Sequence, residues 1–149
     1  DDIEAMILQN TLNRNPGAGT DIEKIVKARV SQGSSRRLLL LEHHHCNLCD
    51  ISTTSVLRAS HIKEWSESSR EDRIDANNGL LLCANHDALF DRHLISFEPT
   101  TGHICISSSI DVNQRKALNI SESTILSMNN RMKSYMQMHY KKFIEKENQ

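Results

Sequence analysis

Apolar and polar positions follow two different periods along this chain, and the change of period marks its organisation. Ile3, Met6 and Ile7 are spaced as on one helix face, which predicts a short amphipathic helix over 1–13. Asn15-Pro16-Gly17-Ala18-Gly19 reads as a loop. Thr20 and Glu23 form a T-x-x-E capping box, and Ile22, Ile25, Val26 and Val30 mark one face of a second helix. Arg36 to Glu42, with four consecutive leucines, predicts a third helix capped by Ser34 or Ser35.

The period then shortens. Val56 to Ile62 alternates as a strand ending near His61, and the polar run Lys63 to Asp72 reads as a loop anchored by Trp65. Asn77-Asn78-Gly79 is a turn signal, Leu80-Leu81-Leu82 a short buried strand leading to Cys83, and Ala84 to Asp91 the start of a helix. Leu94 to Phe97 and His103 to Ser107 predict a hairpin around Glu98–Gly102. Asp111 caps a short helix to Leu118, and a longer helix is expected from Ser121 to Glu147. Its Ile125, Met128, Met132, Tyr135, Met136 and Phe143 form a stripe that serves either core packing or a partner face.

Composition narrows the class. With 149 residues, 38% hydrophobic and 4% aromatic, the chain suits one domain with a lean core, which a structural metal would help to hold. A net charge of −1 gives no overall basic signature and leaves local basic patches open. No run of 18 apolar residues predicts a membrane span. Four cysteines without a secretory pattern point to a reducing, cytoplasmic setting and to metal binding over disulfides.

Those cysteines are paired in a telling way. Cys46 and Cys49 form one C-x2-C pair, Cys83 and His86 a second pair of the same spacing, with 33 residues between. Two such knuckles supply the four soft ligands of a tetrahedral zinc site, and a closed four-coordinate site is structural. His43, His44 and His45 are expected at the surface or beside the cluster, and Cys105 as a small core residue. Arg36 and Arg37 read as a solvated face or as phosphate contacts.

Within the frame lie His61, Asn78 and Asp87. Asp87 follows the ligand His86 directly, about 100° round the helix, so it faces away from the zinc. A neutral imidazole opposite a carboxylate is the minimal kit for metal-assisted hydrolysis. Here ASHI, R-I-D-x-x-N-G-L-L-L-C and N-H-D-A-L-F-D-R-x-L-I-S-F, in that order, resemble the HNH endonuclease family. The similarity is greatest to the subgroup often attached to modification-dependent restriction systems, and it extends over residues 28–110. The resemblance implies a ββα-metal fold, cutting of DNA, and one catalytic divalent ion, Mg2+ or Mn2+. By position His61 is the general base, Asn78 the middle Asn, and Asp87 the metal ligand where the commonest motif has its last His. Ser60 stands where many members carry Asp and offers only a weak ligand, which Asp91 could supplement. Arg58, Lys63, Arg73 and Arg92 are candidates for DNA phosphate contacts, or else surface charges paired with Glu71, Asp72 or Asp75.

The expected fold is α+β: a ββα-metal (HNH, treble-clef-like zinc) core at 43–110, an N-terminal helical segment at 1–42 and a C-terminal helical segment at 111–149. The expected function is a metal-dependent DNA endonuclease domain, the cleavage part of a restriction or defence system. The alternative is a non-catalytic zinc-knuckle module that binds nucleic acid. Expected partners are DNA, a second copy through the C-terminal helix, and a DNA-reading domain or partner outside this chain.

Overall fold

The computed structural model describes residues 36–149. The helices expected over 1–13 and from Thr20, and the Ser34 or Ser35 cap, lie outside the described residues. Residues 36–42 are helical, as expected, and seat Leu39 in the core at 1% exposure. Arg36 donates to the carbonyls of Leu57 (3.2 Å) and Thr54 (2.8 Å), so its guanidinium is spent on backbone.

Strand β1 (Leu57–His61) pairs antiparallel with β2 (Gly79–Cys83), Leu57 opposite Cys83 and His61 opposite Gly79. The leucine run makes β2 buried along its whole length, while β1 turns Arg58 outward. Between them the chain makes an excursion over 62–78, of which Lys63 to Asp72 is expected to be a loop. It is folded instead, with a 3-10 turn at Trp65–Glu67, helix α1 (Arg70–Ile74) and a second 3-10 turn at Ala76–Asn78. The reason is a capping box hidden in a polar run. Ser69 Oγ accepts from the Asp72 amide, and the Asp72 carboxylate accepts from the Ser69 amide, both at 3.1 Å. Asn78 closes the base of the excursion. Fully buried, it accepts from the Lys63 amide at 2.8 Å and donates to the Asp72 carbonyl at 3.0 Å.

Helix α2 (Ala84–Asp91) follows β2 without a loop, with Cys83 as its N-cap and Leu89 and Phe90 buried. Strands β3 (Ile95–Phe97) and β4 (Ile104–Ile106) form the expected hairpin. Gly102 turns between them at φ +78, where an added Cβ would meet the Leu126 carbonyl oxygen at 2.2 Å. Helix α3 (Val112–Ala117) is capped by Asp111, as predicted.

The last helix departs from expectation. Helix α4 runs Asn130–Glu147, capped by Asn129, and does not begin at Ser121. Residues 124–126 are extended because their backbone pairs with the hairpin: the Ile104 amide donates to Thr124 at 3.0 Å and the Leu126 amide to Gly102 at 2.9 Å. Ile125 therefore lies outside the helix and is 59% exposed. The buried stripe is Tyr135, Met136, His139 and Phe143, which packs on the chain itself and serves the core. Among the described residues no helix is long and apolar enough to cross a membrane.

His139 is the polar member of that stripe. It lies flat on Phe90 at 3.8 Å, with Nε2 bonded to the Phe90 carbonyl and Nδ1 to Ser96 Oγ, both at 2.7 Å. Burial drives its pKa from 6.5 to about 3, so the folded state holds it neutral. The unfolded chain takes up a proton below pH 6.5 that the folded chain refuses, so stability falls as pH drops from 6.5 toward 3. Chemical unfolding from pH 7.5 down to 4.5 is expected to show this decline, and His139→Gln to flatten it. An unchanged slope in the variant would assign the decline elsewhere.

Candidate functional site

Cys46, Cys49, Cys83 and His86 bring their ligand atoms within 4.8 Å of one another. Cys46 Sγ lies 3.4 Å from His86 Nδ1. His86 Nε2 donates to the Leu118 carbonyl at 2.8 Å, which fixes the tautomer and leaves the Nδ1 lone pair toward the thiols. The first knuckle is tied to β2: the Asn47 amide donates to Leu81 at 2.7 Å, and the Leu81 amide to Asn47 Oδ1 at 2.8 Å. The Leu48 amide points at Cys46 Sγ at 3.4 Å. His45 Nδ1 lies 2.6 Å and 3.1 Å from the carbonyls of Cys46 and Cys49, so it braces the knuckle from outside. Cys105 is half-buried and stands apart from this cluster.

Electrostatics shows what the donor set suits. Burial raises the Cys46 thiol, but hydrogen bonds from His86 and the amides of Cys83 and Leu48 outweigh it and bring the thiol to about 6. Burial, reinforced by the neighbouring thiolate, pushes Cys49 up to about 12, and Cys83 rises for the same reasons. Protein groups alone thus stabilise one thiolate and resist the next two. A divalent soft cation removes that conflict, and three thiolates with one imidazole are a zinc donor set.

A second site opens on the other face of α2, an open cleft of about 290 Å³ lined by Ser60, His61, Asp87 and Asp91 among others. His61 ends β1, and its Nε2 donates to the Arg73 carbonyl at 3.0 Å. The proton is therefore on Nε2, and Nδ1 is left as an acceptor. Asp87 accepts from the Ser60 hydroxyl and from Arg58 Nε, the latter at 3.1 Å. Ser60 thus orients the carboxylate. Asn78 does not line the cleft; its amide holds the backbone of the excursion that presents Arg73 to His61.

The basic candidates are mostly occupied within the chain. Lys63 pairs with Asp72 at 3.0 Å, holding that carboxyl down at about 2. Arg73 lies over the Trp65 ring at 3.6 Å and donates to its carbonyl at 3.0 Å. Arg58 pairs with Asp87, and Arg92 is exposed beyond α2. Sequence reasoning passed over Glu64, His93 and His139, which line the same cleft. His139 had a signal, since it falls at helical spacing from Tyr135 and Met136. His93 had none, because its role depends on how α2 ends.

Residues 46–98, a little over a third of the chain, match the family model described as HNH endonuclease. A search of curated proteins returns no match.

Cys83 serves as cluster ligand, strand end and helix cap at once. The purified protein is expected to carry about one zinc ion per chain, and Cys83→Ser to lose it together with most of its thermal stability. Elemental analysis and a melting curve with and without chelator check this. Folded protein free of zinc would refute the scaffold role.

Proposed function

We propose that this chain, whose residues 46–98 match the HNH endonuclease family model, is a metal-dependent endonuclease that hydrolyses DNA phosphodiester bonds. The observation that carries the reading is the cleft itself. His61, with its tautomer fixed by Arg73, and Asp87, on the first turn of α2, line one opening beside a cluster suited to zinc. The order β1, β2, α2 supports a ββα-metal core spanning the middle of the chain. A zinc-knuckle binding module without chemistry gives no reason for an imidazole with its Nδ1 open and a carboxylate in the same cleft.

The carboxylates of Asp87 and Asp91 and the Ser60 hydroxyl are hard oxygen donors, a set that fits Mg2+ or Mn2+. Asp87 chiefly would hold such an ion, which would supply charge neutralisation during the hydrolysis. His61 Nδ1 removes a proton from water as that water attacks phosphorus. The bond to the 3′ oxygen breaks, leaving 5′-phosphate and 3′-hydroxyl ends. The Arg73 carbonyl keeps the imidazole oriented and favours the imidazolium that forms. Asn78 and Ser60 are positioning residues, acting through the excursion and through Asp87.

The resemblance to nucleases attached to modification-dependent restriction systems supports a role as the cleavage part of such a system. The net charge of −1 and the internally paired Lys63, Arg73 and Arg58 support recognition of DNA by a domain or partner beyond the described residues.

Supercoiled plasmid is expected to be nicked or linearised in Mg2+ or Mn2+. His61→Ala should slow cutting by roughly 10²- to 10⁴-fold, with zinc content and melting temperature retained. Asp87→Ala should do the same and raise the metal concentration needed. Plasmid left intact across Mg2+, Mn2+, Co2+ and Ni2+ at high protein concentration would sink the endonuclease reading.

A further inference from the structure

Among the described residues two buried side-chain nitrogens have no hydrogen-bond partner, Trp65 Nε1 and His93 Nε2, and both residues line the cleft of His61 and Asp87. Buried polar groups are nearly always paired, because removing one from water without replacement destabilises the fold. Two such atoms at one opening call for a common explanation.

The backbone adds to the case. Helix α2 closes with the His93 amide bonded to Phe90 at 3.1 Å and the Leu94 amide to Leu89 at 2.9 Å. This closure puts His93 at φ 55, in the left-handed region where glycine is the favoured residue. The sequence places an imidazole there and gives up that freedom. The ring is held by stacking, 4.3 Å from His139, which is itself stacked on Phe90 at 3.8 Å. Glu64 stands 3.8 Å from Nε2, beyond hydrogen-bonding reach, and is taken up by Lys142 at 2.9 Å. Trp65 is held in the same manner, with the Arg73 guanidinium over its ring at 3.6 Å. Both rings are packed by these contacts, and neither nitrogen has a partner.

We infer that Trp65 and His93 form a binding subsite for a DNA phosphodiester flanking the bond that is cut. An indole N–H only donates, so its ligand atom is an acceptor. The cleft also holds Glu64, Asp87 and Asp91. An added lysine or arginine there would pair with a carboxylate, as Arg58 does with Asp87. An indole and a neutral imidazole donate to phosphate oxygens without that competition. Burial keeps the His93 imidazole on the neutral side, consistent with this use. Both rings are partly exposed although their nitrogens are covered, so a small ring rotation or a shift of the Trp65–Glu67 turn brings the donors to the ligand.

The inference rests on the endonuclease reading for its ligand, and its test separates the two. Trp65 is the single tryptophan of the chain, so its emission reports on the subsite directly. A short fluorescein-labelled DNA duplex is titrated into the full-length His61→Ala protein, with affinity read by anisotropy. Saturation is expected to shift or quench Trp65 emission. Trp65→Phe and His93→Gly, each added to that background, are expected to bind roughly three- to tenfold more weakly, the loss of one hydrogen bond. Because both donors are neutral, the salt dependence of binding should keep its slope. The melting temperature of the His93→Gly protein should hold or rise. Absence of saturable binding, saturation without an emission change, unchanged affinity in both variants, or losses that track a fall in melting temperature would each overturn the subsite. The same emission change with free nucleosides and none with dimethyl phosphate would overturn the phosphodiester assignment in favour of a base. A wild-type protein that binds as described and cuts no plasmid would sink the endonuclease reading and leave the subsite standing.

Discussion

Three thiols and one imidazole meet within 4.8 Å, and that crowding is the constraint on which the rest of the structure depends. Hydrogen bonds stabilise one thiolate at Cys46, while Cys49 and Cys83 are driven up by burial and by that neighbouring charge. A soft divalent cation would let all three sulfurs ionise at this distance. The conflict is located where three pieces of chain join: the knuckle at Cys46, the end of β2 and the start of α2. Fixing Cys83 and His86 sets the rotation of α2 about its axis. Asp87, one residue on, is thereby turned to β1 and meets Ser60 and Arg58. Whatever else it does, the cluster decides which side of the helix faces His61.

A second layer of support comes from the far end of the sequence. The orientation of His61 depends on the Arg73 carbonyl, and Arg73 lies on an excursion with little apolar content. Helix α4 supplies what the excursion lacks. Tyr135 donates to Asp75 at 2.7 Å and to Asp72 at 3.2 Å, Arg131 pairs with Asp75, Asn129 donates to Asn77 at 2.8 Å, and Lys142 holds Glu64 and Glu67 at 2.9 Å. Most of these are partly exposed, so each contributes little alone. Their value is geometric, since together they hold a polar loop in one conformation.

The sequence exposed some of this and hid the rest, and the division follows the range of the interactions. Cys46 with Cys49 and Cys83 with His86 were readable because each pair acts over one turn of chain. The bounds of α2 and the Asp111 cap were readable for the same reason. His61 and Asp87 were readable through motif order, and the structure sets both beside one cleft. The excursion was not, because its capping box is short and its burial comes from α4. Residues 121–129 were misjudged as helix because Ile125 and Met128 keep helical spacing, while the backbone pairs of Thr124 and Leu126 with the hairpin outweigh it. Lys63 and Arg73 were candidates for phosphate contact because they flank the motif, and only their tertiary partners show them to be occupied.

The electrostatic character of the cleft follows from these occupied cations. Of the three carboxylates that line it, Asp87 is paired with Arg58 and Glu64 with Lys142, so the cleft carries no marked excess of positive charge. On the endonuclease reading, a divalent ion beside Asp87 and Asp91 would supply the positive charge that a phosphate needs. Ion and phosphate therefore favour each other's entry, since the ion neutralises both the carboxylates and the backbone it meets. Arg58 fits this arrangement as the cation that balances Asp87 at 3.1 Å, in direct competition with a metal ion for the same carboxylate. On the endonuclease reading, a site built this way would engage where ion, phosphate and a correctly placed strand arrive together.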